Sequence, residues 1–163
     1  MSQISIACVQ ARVTLADFFT EQSFRSLTAS LMEQATASMP ADGPRLVVFP
    51  EDYASGCLFI GEEATIKDSS SLRGAVASMV RRHFTGVMGQ RLRHRVGWVR
   101  ALMLHRVQDA AELYFKTFSE LAKAHNAYVL GGSVLLPELD TADGRMEPQG
   151  SDVYNVAYLF GPD

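Results

Sequence analysis

Leu46, Val47, Val48 and Phe49 form an unbroken apolar run between Asp42-Gly43-Pro44 and Pro50. A run this short, closed on both sides by turn-forming residues, predicts a strand buried on both faces. Proline lacks the N–H that a central ladder needs, so the strand stops at Pro50. Glu51 is thereby carried at the carboxyl end of a buried strand. In open α/β sheets, ligands and reacting groups gather at that end. A carboxylate mostly buried there, facing a cavity shared with Tyr53, would serve as a general base. The plainer alternative is a carboxylate that caps or solvates a loop.

The residues around this run supply the rest of an α/β layer. Residues 4–10 are mostly apolar and predict an opening strand. Thr14 and Asp17 have the spacing of a capping box, and Phe24, Leu27, Leu31 and Ala35 follow at helical intervals. The helix they predict turns residues 4–49 into a β-α-β unit, whose crossover is right-handed and whose strands are parallel. Residues 52–72 read as loop. Leu92, Val96, Val99 and Met103 keep 4-3-4 spacing, which predicts a helix over about 92–104 with those four side chains facing protein. A further helix over 109–125 has Ala111, Phe115, Phe118 and Ala122 on one side, and Asn126 is suited to end it. Residues 127–136 predict a third strand in which Gly131-Gly132 marks a bulge or a close backbone approach. Asp143-Gly144 reads as the tip of a polar turn, and 153–160 as a fourth strand.

A chain of 163 residues is one domain by length, and 47% hydrophobic with 20% charged residues is the composition of a globular protein. Cys8, expected as a small core residue, and Cys57 are too few and too far apart for a disulfide framework or a metal motif. That usage suits a reducing cytoplasm. The N-terminal residues have neither a basic stretch nor an apolar core of the secretory kind. No apolar run approaches the ~20 residues needed to span a bilayer. Neither a metal nor an organic cofactor is expected.

Charge is uneven. Between Arg73 and Arg106 stand eight arginines and three histidines without one Asp or Glu, which leaves the remainder at −11 against a total of −3. Three roles fit this Arg-rich helical insert at about 70–108. It is a solvated helical face whose arginine stems cover apolar surface. Or it is a lid whose guanidinium groups bind a substrate carboxylate above Glu51. Or, with Trp98 among its arginines, it is an amphipathic element that touches a membrane surface. No nucleic-acid motif accompanies it, and no nucleic-acid partner is expected.

Several stretches together resemble the nitrilase superfamily of carbon–nitrogen hydrolases. They are residues 4–10, the Phe49-Pro50-Glu51 strand end with its flanks through Gly56, residues 118–133 ending in Gly131-Gly132-Ser133, and Tyr154-Asn155 with the strand that follows. Their order matches the N-terminal half of that family. The resemblance implies an α-β-β-α sandwich of which residues 1–163 supply about half, one α/β layer plus the insert. It implies a Glu-Lys-Cys mechanism in which a thiolate attacks an amide or nitrile carbon and a lysine stabilises the tetrahedral intermediate. By position, Glu51 matches the general base, and Tyr53 and Gly56 fall where a substrate-binding loop runs. Cys57 does not match the nucleophile, nor do Lys116 and Lys123 match the lysine. Both missing positions lie beyond Asp163, so the resemblance implies that they are supplied outside the given sequence and that these residues alone are inactive.

Two classes of function follow. One is a hydrolase of small-molecule amides or nitriles; the other is a non-catalytic binding or remnant protein of the same fold, its basic insert docking on an acidic partner. Four strands with helices on one side would leave the other sheet face bare. The expected partners are therefore another copy of the chain, in a homo-oligomer, or the missing C-terminal half.

Overall fold

A computed structural model describes residues 3–40, 42–142 and 145–163. The strands β1 (Ser5–Cys8), β2 (Arg45–Val48), β3 (Tyr128–Ala142) and β4 (Arg145–Phe160) form one sheet in the order β1-β2-β3-β4. The β1–β2 and β2–β3 pairs are parallel and β3–β4 is antiparallel. The predicted β-α-β unit is therefore present, and the sheet is mixed. The expected Asp143-Gly144 turn lies outside the described residues.

The first helix, α1 (Glu21–Thr36), begins one turn later than the capping box suggests. Thr14 and Asp17 close a separate 3-10 turn, Leu15–Phe18, in which the Thr14 N–H donates to Asp17 Oδ2 at 2.6 Å. Thr20 then caps α1, accepting from the Ser23 N–H at 3.0 Å. The stripe of α1 buried deepest is Phe24, Thr28 and Met32, one residue round from the predicted line. Thr28 is tolerated there because its hydroxyl donates to the Phe24 carbonyl at 2.6 Å and lies 3.0 Å from the Tyr53 hydroxyl.

Residues 52–72 are more ordered than a loop. They hold a 3-10 turn, Ser55–Phe59, and the short helix α2 (Glu63–Ile66), and lead into α3 (Leu72–Arg82). The helix α4 (Phe84–His94) ends at Arg95, whose φ of 53° is left-handed, and α5 (Trp98–His125) restarts after Gly97. This break corrects the single helix expected over 92–104. Its apolar spacing crosses two helices of different phase, so Leu92 and Val99 are exposed at 67% and 50%. Only Val96 and Met103 of that set are half-buried.

The 28-residue α5 joins the insert to the core. Its second half buries Tyr114, Phe118 and Ala122 against the sheet, with Phe115 half-buried beside them. Asn126 ends it in the left-handed conformation at φ 47°, as its sequence position suggests. Phe24, Phe49, Tyr53 and Phe118 interlock on this side of the sheet, with Phe49 and Phe118 edge to face at 5.2 Å.

The opposite face is open. Ile6 and Cys8 of β1 point outward and are exposed, as are Ile4 just before it, Tyr128 of β3 and Leu159 of β4. Ladder pairing sets Ile6 beside Leu46 and Tyr128, and Cys8 beside Val48, Leu130 and Leu159. The expectation of Cys8 as a core residue fails for this reason: its side of β1 is the side that no helix covers.

Candidate functional site

The end of β2 is fixed by backbone contacts to β3. Phe49 N–H donates to the Leu130 carbonyl at 2.9 Å, Asp52 N–H to Ser133 Oγ at 2.7 Å, and Ala54 N–H to the Ser133 carbonyl at 3.1 Å. Gly132, at φ +70°, makes this docking possible. A Cβ there would stand 2.6 Å from the Pro50 carbonyl oxygen and 2.9 Å from Tyr53 Cβ. The expected bulge is real: the β3–β4 register shifts between Leu130 and Ser133.

On this platform Glu51 is at the carboxyl end of β2, as expected, but its side chain is exposed and not mostly buried. Its Oε1 accepts from Asn155 Nδ2 of β4 at 3.0 Å. Asn155 lies on the same side of β4 as Ala157 and Leu159, the side that carries the open face, so nothing in the described chain roofs the carboxylate. Tyr53 takes the other direction. It is 2% exposed, packed 5.0 Å from the Phe49 ring, and bonded through its hydroxyl to Thr28. Burial pushes its phenol up to about 12 against the effect of the Thr28 bond. Glu51 and Tyr53 therefore share no cavity, which corrects that expectation. Asp52 between them has φ 58°, and this left-handed residue turns the two side chains apart.

Gly56 is half-buried and does line a cavity. About 530 Å³ in volume, it is bounded by Leu15, Phe18, Gly56, Leu58, Val76, Met103 and Leu135 among others. Leu135 is paired with Asn155 across the β3–β4 ladder, and directly paired residues of an antiparallel ladder project to one face. Neither Glu51 nor Asn155 lines the cavity itself; the connection is that Leu135, which does, is the ladder partner of Asn155. No arginine lines the cavity, so the carboxylate-binding lid expected of the insert is not built in this form. The insert's arginines reach acids elsewhere, Arg82 to Glu62 at 3.4 Å, Arg100 to Asp152 at 3.0 Å and Arg106 to Asp109 at 2.7 Å, while Arg91 stacks 4.6 Å over Trp98. The Arg100 contact is solvated on both sides, whereas Glu62 and the Arg106 side chain are exposed at only 4% and 12%, so the insert is a solvated face in part.

Cys57 is fully buried, and that burial pushes its thiol far above the ordinary range. With the thiolate suppressed and the side chain enclosed, Cys57 is unsuited to act as a nucleophile. Iodoacetamide is expected to leave Cys57 unmodified in the native protein and to label it at the rate of global unfolding, read by peptide mass mapping. Rapid native labelling would show that the core opens there.

A second polar cluster has no signal in residue spacing. Glu62, only 4% exposed, is hydrogen-bonded to His83 Nε2 at 2.6 Å, tying the α3–α4 corner to the start of α2. The His105 ring lies 5.3 Å from His83, and its pKa is lowered first by burial and then by the neighbouring His83 and Arg106 charges. Among the described residues no group of three His, Cys, Asp or Glu side chains is placed to hold a metal, and no helix is long and apolar enough to cross a membrane. Comparison with protein families, curated proteins and solved structures found no match for this chain.

Proposed function

We propose that this chain is the glutamate-bearing half of a cytoplasmic carbon–nitrogen hydrolase acting on small-molecule amides or nitriles. The observation that carries the reading is Glu51 at the carboxyl end of β2, its carboxylate held by Asn155 on the open side of the sheet. Glu51 is the general base, which takes the proton of an attacking thiol and later of a water. The lysine and the cysteine come from outside the given sequence, in a C-terminal half of the same protein or a second polypeptide, as part of an α-β-β-α sandwich. A layer seated on the open face would roof Glu51 and withdraw it from water. The two unpaired cysteines, Cys8 and Cys57, agree with a reducing compartment.

The test uses the natively produced protein, captured through its N-terminus. Its mass, together with any co-purifying polypeptide, is expected to exceed 17.9 kDa. Glu51→Gln is expected to lower its amide hydrolysis by roughly 100- to 10,000-fold, the range for loss of a general base. Residues 1–163 alone are expected to show no turnover. Turnover by that fragment which disappears in Cys57→Ala would overturn the assignment.

The burial of Cys57 favours one further reading. With no usable thiol of its own beside Glu51, the chain would be a non-catalytic binding protein of this fold. A native mass of 17.9 kDa without hydrolysis would select it.

A further inference from the structure

We propose that the corner of the Arg-rich insert where α4 meets α5 docks this chain on an anionic phospholipid surface. This goes beyond the hydrolase reading, and it needs neither Glu51 nor the open sheet face.

Three large apolar side chains stand in solvent at this corner: Phe84 at 49%, Leu92 at 67% and Trp98 at 37%. Phe84 and Leu92 are eight residues apart on α4, two steps of four, so they face the same side. The left-handed residue Arg95 turns the chain back after α4. Trp98, the first residue of α5, thereby stacks on the Phe84 ring at 6.0 Å.

The charges at the corner are unanswered by the protein. Among the described residues, no carboxylate forms an ion pair with Arg91, Arg93 or Arg95. Arg91 lies 4.6 Å over the Trp98 ring, and its Nε is enclosed without a hydrogen-bond acceptor. Elsewhere in the insert Arg82, Arg100 and Arg106 do reach acids, Glu62, Asp152 and Asp109. The dipole of α4 favours cations at its C-terminal end, but it gives no reason for apolar side chains among them. Arginine stems laid over apolar surface would cover Leu92, and they leave it exposed.

A bilayer surface supplies what each of these groups lacks. Lipid phosphates accept guanidinium N–H groups, the Trp98 and Phe84 rings fit the headgroup level, and Leu92 reaches below it. From Arg73 to Arg106 the sequence has no Asp or Glu to repel a negative surface. A protein partner would have to match these charges and side chains over roughly 800 Å², whereas a bilayer offers phosphate and hydrocarbon at every point. Nucleic acid offers phosphates but no place for Leu92.

Trp98 is the chain's only tryptophan, so its fluorescence reports the contact directly. With vesicles of equal parts phosphatidylcholine and phosphatidylglycerol at low salt, its emission is expected to shift to shorter wavelength and the chain to sediment with the lipid. Both effects should be absent with pure phosphatidylcholine and should weaken at high salt, which screens surface attraction. Arg91→Gln and Arg95→Gly are each expected to weaken partitioning about fivefold, the share of one basic residue near an anionic surface. Arg95→Gly also preserves the fold, since glycine takes φ 53° without strain. Leu92→Ser, at an exposed position, is expected to weaken partitioning at least about tenfold. Leu159→Ser on the open sheet face should leave it unchanged. No shift and no sedimentation would overturn the proposal, and so would equal binding to both kinds of vesicle. Loss of binding in Leu159→Ser with none in Leu92→Ser would overturn it too, by moving the contact to the open face. Tighter binding to duplex RNA than to vesicles, weakened by the arginine variants and untouched by Leu92→Ser, would replace it with a nucleic-acid surface.

Discussion

Gly132→Ala is expected to lower the unfolding free energy by about 2–5 kcal/mol, with a fall in Tm on the order of 10 °C for a domain of this size. Two effects add. A non-glycine residue at φ +70° bears the left-handed backbone penalty, about 1–2 kcal/mol. The new methyl also overlaps the Pro50 carbonyl oxygen at 2.6 Å and Tyr53 Cβ at 2.9 Å, neither of them the far end of a flexible side chain. Overpacking of this kind costs about 1–3 kcal/mol. Gly150→Ala is the control, because Gly150 has φ +96° with nothing within 4 Å of its Cβ position. Urea denaturation of the two variants separates strain from collision, and equal losses would show that the β3 approach to Pro50 does not hold the turn. The same collision pushes the turn that carries Glu51, so the Asn155 contact should loosen along with stability.

That glycine was legible in the sequence, and so was most of the sheet. The run ending at Pro50 had one reading because four apolar residues between turn formers are too short for a helix. Gly131-Gly132 inside an apolar strand signalled a close approach, and Asn126 signalled a helix end; each reflects a local backbone demand that few residue types meet. What failed depended on distant parts of the chain. The burial of Glu51 turns on whether a second layer covers the sheet, and nothing in residues 45–56 encodes that layer. Tyr53 and Glu51 part because Asp52 is left-handed at φ 58°, a conformation that aspartate enters more readily than most residues but does not announce in the sequence, and that the contact to Ser133 accompanies here. The 4-3-4 spacing from Leu92 to Met103 survived on paper across a helix break made by Arg95, a residue with no preference for the left-handed region. Of the candidate site, Glu51 and Gly56 are singled out by the motif, whereas the cavity wall in the insert requires the fold, since Val76, Val99 and Met103 come from two helices.

The chain on its own is expected to self-associate through the open sheet face, and Ile6→Lys with Leu159→Lys is expected to return it to a monomer, weakening association by at least about 100-fold. Both residues are already exposed, at 58% and 62%, so the substitutions cost the folded chain little. They stand on opposite sides of the patch, one on β1 and one on β4, with Leu46, Val48 and Leu130 between them and Tyr128 at one margin. A sheet surface of this composition is unlike an ordinary domain exterior, where apolar residues are scattered. Stable protein interfaces bury roughly 800 Å² per partner, and a four-stranded face packed against its twin at the usual sheet spacing of about 10 Å reaches that scale. In a two-fold dimer each lysine enters the contact twice, so the pair introduces four charges into a largely apolar surface. Sedimentation velocity on the wild-type and doubly substituted chains measures the result. A wild-type chain that sediments as a compact monomer, binds no apolar dye and unfolds cooperatively would show that the face needs no cover. If the wild type associates and the lysine variant does so equally, the contact lies elsewhere, and the insert becomes the next surface to charge.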